Sequence, residues 1–175
     1  MIRPDFKATL LEQRGAAVIL WSCFTIAVVL YIVIARSILG NPRFSRGLSF
    51  ADSARLVLWI LTLIDIGYYA YWKKRRLSDE AVLTEEPSKL LRAVEEYRGD
   101  VERRAAEVVS TYVTRRIVLF AIIEAIAVYG LVLAIVGGFL MDQYVLSALS
   151  LILLVLEFPS ETPLARLIGR IEESS

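Results

Sequence analysis

The sequence predicts an all-α, polytopic integral membrane protein with four transmembrane helices, and three observations carry that expectation. Hydrophobic residues make up 57% of the 175 positions and the mean hydropathy is +0.57. Charged residues, 22% of the total, sit mostly between the apolar blocks rather than inside them, which is the pattern of a membrane chain and not of a soluble globule. The blocks themselves have spanning length, since a hydrocarbon core about 30 Å thick needs ~20 helical residues. The expected spans are 15–39, 53–72, 117–141 and 142–158, in a single membrane domain. An amphipathic cytoplasmic helix over 88–114 separates the second and third, and a short interfacial helix over 162–173 follows the fourth.

The first span follows a short polar lead. The run from Gly15 to Ala35 is uncharged, with Ser22, Cys23 and Thr25 as its mildly polar positions. It is longer than the apolar region of a signal peptide and lacks an obvious small-x-small cleavage site, so a retained helix is expected. Gly40-Asn41-Pro42 breaks it. Ser49-Phe50-Ala51-Asp52 has the spacing of a capping box with Asp in place of Glu. The second span then runs from there to Trp72, and its aromatic end, Tyr68, Tyr69, Tyr71 and Trp72, marks a membrane interface. The basic run Lys73-Lys74-Arg75-Arg76 stops it.

Leu77 to Ser88 is acidic and contains Pro87, so it reads as a linker. Beyond it Leu90, Val94, Tyr97, Val101, Ala105 and Val108 recur at spacings of 4, 3, 4, 4 and 3, one face of an amphipathic helix. That helix can lie on the membrane surface, pair with a partner helix or pack under the bundle. The third span follows, then Asp142-Gln143 as a tight turn and the short fourth apolar run. Thr162-Pro163 is an N-cap followed by Pro at the first helical position. Leu164, Leu167, Ile168 and Ile171 form an i, i+3, i+4, i+7 stripe, with Arg166 and Arg170 on the wet side of an interfacial helix.

Four spans place sixteen Lys and Arg residues on one side and four, Arg36, Arg43, Arg46 and Arg55, on the other. The positive-inside rule then puts both termini and the middle segment in the cytoplasm of a bacterial-type inner membrane. The net charge of +1 points to no nucleic acid. Histidine is absent and Cys23 is the lone cysteine, which excludes an internal disulfide, a Cys/His zinc site, a His-ligated haem and a His-based catalytic triad. No metal or other cofactor is expected.

Two carboxyls lie inside the spans, Asp65 and Glu124. Each costs about 2.5 kcal/mol or more unless neutralised, paired or hydrated, and so marks a functional-site candidate. Asp65 lies eight residues before Lys73 and Glu124 eight after Arg116, about 12 Å inside the same boundary at ~1.5 Å per residue. The same depth falls near Ser22 to Thr25 and near Ser147 to Ser150. An ion-binding layer of Glu124, Asp65, Thr25 and Ser150, with Ser22 and Ser147 beside them, is geometrically possible. Alternatively the two acids hydrogen-bond each other, or Thr62 and Tyr69, and hold helices together. On the third span Gly130, Ala134 and Gly138 stand at i, i+4 and i+8, a small-residue stripe that lets another helix approach closely. Tyr129, five positions after Glu124, points elsewhere on the helix.

The run Glu124-Ala125-Ile126-Ala127-Val128-Tyr129-Gly130-Leu131-Val132-Leu133-Ala134 resembles the ion-carrying helix of rotary ATP synthase proteolipids, the c-type rotor-ring subunits. That resemblance spans residues 124–134 and implies that Glu124 is a reversible proton or Na⁺ carrier, with Tyr129 and Gly130 in register. As a whole the chain is similar to small bacterial four-helix membrane proteins, which implies no activity. Two function classes result. The first is a non-catalytic structural or accessory subunit, whose partners are the lipid bilayer and other membrane subunits or further copies. The second is a proton- or sodium-binding or -conducting component. An enzyme is not expected, because only the Asp/Glu pair could do acid–base work.

Overall fold

The structure is a computed structural model that describes residues 2–40, 50–84 and 99–173, and every regular element among them is helical. In chain order these are α1 (Pro4–Glu12), α2 (Arg14–Leu39), α3 (Ala51–Arg76), α4 (Asp79–Thr84), α5 (Asp100–Gly137), α6 (Leu140–Leu156) and α7 (Thr162–Glu173). Three stretches are long and apolar enough to cross a membrane: Pro4–Leu39, Ala51–Arg76 and Asp100–Gly137. With 17 residues α6 is shorter, about 26 Å against a core of about 30 Å.

The polar lead of the sequence is itself a helix. Pro4 opens α1, where its missing N–H costs nothing and its fixed φ is already helical. Only Gln13 separates α1 from α2. The amphipathic segment and the third span are likewise one element: α5 runs unbroken through Arg115 and Arg116, where two were expected. The first part of that amphipathic stripe, with Leu90, Val94 and Tyr97, lies outside the described residues, as does Ser49 of the expected capping box; Asp52 does occupy the first turn of α3.

The α5–α6 connection falls earlier than expected. The helix ends at Gly137, and Gly138 takes a φ of +71°, a left-handed value that suits glycine at a helix end. Asp142 and Gln143, expected to form the turn, instead lie in the first turn of α6, and both are buried. An acid there complements the positive end of the helix dipole. Gly138 therefore serves the reversal of the chain.

The chain forms two compact units. The first comprises Met1–Trp21, Tyr71–Leu119 and Phe158–Ser175, and the second Ser22–Ala70 with Phe120–Glu157. In the first, Phe6 and Leu10 of α1, Val82 of α4, Ala105 and Val109 of α5, and the α7 stripe make one core. Leu164, Leu167, Ile168 and Ile171 are all buried there. The α7 stripe thus packs on protein, whereas the sequence suggested a membrane interface; Arg166 and Arg170 remain exposed as expected. The reason is the uncounted helix α1, whose apolar face supplies the surface that the α7 stripe covers. Ion pairs border this core: Arg3 grips Glu102 through Nε (2.9 Å) and Nη2 (3.0 Å), Lys7 reaches Glu172 at 3.1 Å, and Arg14 pairs with Glu161.

The second unit has a smaller apolar centre, in which Ile126, Leu133 and Leu146 are joined by Trp59, Ile66 and Tyr129. Here α5 and α6 approach closely. A Cβ placed on Gly130 would lie 2.7 Å from the Gln143 Oε1, 3.1 Å from the Gln143 Cα and 3.2 Å from the Leu146 Cβ, so α6 would have to give by a few tenths of an ångström to admit one. Ala134, one turn on, is fully buried. Gly130 thus sits where a helix comes close, and that helix is the chain's own α6. By contrast α3 leaves much of its apolar surface outside, with Leu56, Ile60, Leu63, Ile64 and Tyr68 all exposed.

Candidate functional site

The polar groups of the second unit sort themselves along α3 and α5. On α3, Arg55, Thr62, Asp65 and Tyr69 recur at spacings of 7, 3 and 4, which keeps them on one helical face at ~100° per residue. Three of the four reach other elements. Arg55 Nε lies 2.7 Å from Asp142 Oδ2 and its Nη2 donates to Oδ1 at 3.0 Å, with the guanidinium 4.8 Å above the Phe139 ring. Asp65 Oδ2 accepts from the Tyr129 hydroxyl of α5 at 2.9 Å. Tyr69 donates to Glu157 Oε1 at 2.7 Å. Thr62 turns back on its own helix and donates to the Leu58 carbonyl at 2.9 Å.

A fourth tie joins α2 to α5. The Tyr31 hydroxyl donates to Glu124 Oε1 at 2.6 Å. Four carboxyls of this unit, Asp65, Glu124, Asp142 and Glu157, are therefore each met by a donor from another part of the chain. In a low-dielectric surrounding an unmet carboxyl is expensive, and the tyrosine hydroxyl is a donor that itself brings mostly apolar surface.

The sequence-derived layer is only partly assembled. Asp65 and Glu124 share a unit, yet each is answered by its own tyrosine, and the described hydrogen bonds join neither acid to the other. The proposed alternatives for Asp65, Thr62 and Tyr69, bond elsewhere. Ser22 and Thr25 lie half-buried on α2 and are not among the hydrogen-bond partners described for either acid. Ser150 does come near Glu124 along the chain: its hydroxyl donates to the carbonyl of the preceding residue, Ile123, at 2.9 Å. Ser147 accepts from the Gln143 side-chain amide at 2.8 Å, and the Gln143 Oε1 is buried with no hydrogen-bond partner. Among the described residues no three of His, Cys, Asp and Glu gather closely enough to hold a metal ion.

Depth counting failed to find Tyr31 because it assumes parallel helices that leave the membrane at their flanking basic residues. Tyr31 lies 17 positions beyond Arg14, well past the level expected for a Glu124 partner. Arg55 and Asp142 were readable only as loop-end charges, and Glu157 was not read at all. One signal was available: Asp65 and Tyr69 at i and i+4 on a helix that otherwise lacks an apolar stripe point to a face that seeks polar partners.

In the first unit, two arginines at the start of the third apolar run are buried rather than solvated. Arg115 and Arg116 are each only 9% exposed. Arg115 Nη1 donates to the carbonyl of Arg76, the last residue of α3, at 2.7 Å, and its own carbonyl accepts from the Trp72 indole at 3.3 Å. Arg116 Nη1 donates to the Phe158 carbonyl at 3.3 Å, while Arg14 Nε takes the next one, Pro159, at 2.8 Å. Carbonyls at helix C-termini have no intrahelical donor, and guanidinium forks supply one.

Comparison with protein-family models, with curated proteins and with solved structures finds no match to this chain.

Proposed function

We propose that this chain is a non-catalytic, four-span integral membrane protein, a structural or accessory component of a larger membrane assembly, in which the intramembrane carboxyls act as inter-helix ties. The observation that carries this reading is the matching of four carboxyls to four donors: Asp65 with Tyr129, Glu124 with Tyr31, Asp142 with Arg55 and Glu157 with Tyr69. Three of these ties hold α3, at Arg55, Asp65 and Tyr69, beside the apolar packing of Leu58, Trp59 and Ile66. Insertion in a bacterial-type inner membrane with both termini cytoplasmic is supported by the sixteen-to-four division of basic residues. Exposed apolar side chains on α2 and α3 form more surface than a soluble monomer normally leaves open. Lipid or neighbouring subunits suit it.

Tyr31→Phe and Tyr129→Phe test the ties. Each should lower stability in mixed-micelle unfolding by about 0.6–1.7 kcal/mol, the range of intramembrane hydrogen bonds, while Glu124→Gln, which keeps an acceptor oxygen, should cost less. Purification after mild solubilisation tests the assembly. Recovery as a stable lone monomer would sink the subunit reading.

A proton- or sodium-binding role for Glu124 and Asp65 is the second reading. Its support is that Glu124 is only half-buried and engages one described donor, which leaves acceptor capacity for a proton or ion. Carbodiimide modification of Glu124 that Na⁺ blocks, together with flux in proteoliposomes abolished by Glu124→Gln, would replace the tie reading with this one.

A further inference from the structure

We propose that the outward face of α3 is a binding site for one anionic phospholipid, whose headgroup phosphate sits at Lys74 and Arg75 and whose chains lie toward Ile64 and Ile60. The proposal rests on the membrane reading above. It starts from helix geometry on α3 alone: at ~100° per residue, Ile60, Ile64, Gly67, Tyr71, Lys74 and Arg75 fall within one sector. The face carrying Arg55, Thr62, Asp65 and Tyr69 points the opposite way and is occupied by the ties already described.

Along this outward sector the chemistry changes in the order that a phospholipid does. Ile60 and Ile64 are exposed and apolar. Gly67 follows, and a Cβ there would meet nothing within 4 Å, so the face has a notch at that level. Tyr71 is exposed at the aromatic level typical of a bilayer interface. Lys74 and Arg75 are exposed one turn further on, about 15 Å beyond Ile64 at ~1.5 Å per residue. The Arg75 guanidinium is held 5.9 Å from the Tyr71 ring centroid, which limits the rotamers it must give up on binding.

Charge supply distinguishes this pair from five other basic residues of the same unit. Arg3, Lys7 and Arg14 are paired with Glu102, Glu172 and Glu161, and Arg115 and Arg116 are buried against backbone carbonyls. Lys74 and Arg75 have no described acidic partner and point outward. A phosphodiester is the anion that a membrane presents at this level, and basic residues just outside an apolar helix attract it.

The test uses the full chain reconstituted in bilayers of equal phosphatidylglycerol and phosphatidylcholine, with retained lipid counted by native mass spectrometry. One retained phosphatidylglycerol per chain is expected, preferred about fivefold per basic group, the equivalent of about 1 kcal/mol each. Lys74→Gln/Arg75→Gln should remove the preference, Lys74→Arg should keep it, and Arg103→Gln/Arg104→Gln should leave it unchanged. Equal retention of the two lipids by the parent chain, or an undiminished preference in the double variant, overturns the site. A chain that alkaline carbonate strips from membranes, and that fails to enter bilayers, overturns the membrane reading instead.

Discussion

Gly130 shows how a single missing Cβ can set the distance between two helices. Its neighbours across the contact are the Gln143 side-chain Oε1, which can swing aside, and the Gln143 Cα and Leu146 Cβ, which move only with α6. Gly130→Ala should therefore push α6 away by a few tenths of an ångström and destabilise the fold by about 1–3 kcal/mol, the usual cost of overpacking. Mixed-micelle unfolding reads it directly. Gly67→Ala, where nothing lies within 4 Å, should show no such loss. At Gly138 the reason for glycine is different: its φ of +71° strains any L side chain, so Gly138→Ala should cost about 1 kcal/mol without moving α6 off Gly130. The same distinction between residues runs through the polar positions. Glu124 and Asp65 look alike in sequence, but each is defined by the tyrosine it meets, and no pattern within its own helix names that tyrosine.

Docking of α1 on α7 is a matter of elements, because it depends on two short helices neither of which is long enough to be stable by itself. Their apolar faces meet in the shared core, and Glu172 latches them from outside by accepting from Lys7 Nζ at 3.1 Å and from the Ile2 amide at 3.3 Å. The Lys7 hydrogen bond, more than any other influence, holds the Glu172 carboxyl below its ordinary pKa of 4.5. Since the folded pKa is depressed, this contribution is present above the unfolded value and is lost as pH falls through the folded one. Hydrogen exchange in α1 should consequently rise on acidification below about pH 4.5, and Glu172→Gln should flatten that dependence. An exchange profile unchanged by the substitution would place the pH response elsewhere. At the other end of the tied elements, Arg55→Ala should loosen α3 from the α5–α6 turn. The effect belongs near the low end of the ~1.5–3 kcal/mol expected for charged hydrogen bonds, since Arg55 is half-exposed and partly screened by solvent.

For the whole molecule, the proposed topology makes a prediction that needs no purification. With sixteen basic residues on one side and four on the other, a reporter fused after Ser175 should be active only in the cytoplasm, and one inserted at Arg43 only outside it. Both reporters active outside would remove one of the four spans, and the first candidate to go is α6, the shortest.

Length and hydropathy in the sequence by themselves pointed to a helical chain with four spans, because a one-dimensional run of apolar residues is all that a span requires; among the described residues three helical stretches are long and apolar enough to cross a membrane and α6 is shorter. The start of α7 was also legible, since Thr162 and Pro163 open the helix by local chemistry. Local sequence could not show that α1 exists to cover the α7 stripe, that Asp142 and Gln143 belong inside α6, or that α5 runs unbroken past Arg115 and Arg116. Those outcomes depend on which surfaces meet, and buried arginines pay their desolvation only where backbone carbonyls from distant positions arrive to receive them. The partners of the four carboxyls were decided in the same way, by tertiary structure alone: a hydrogen bond is made at about 3 Å between side chains whose separation along the chain carries no periodic signal.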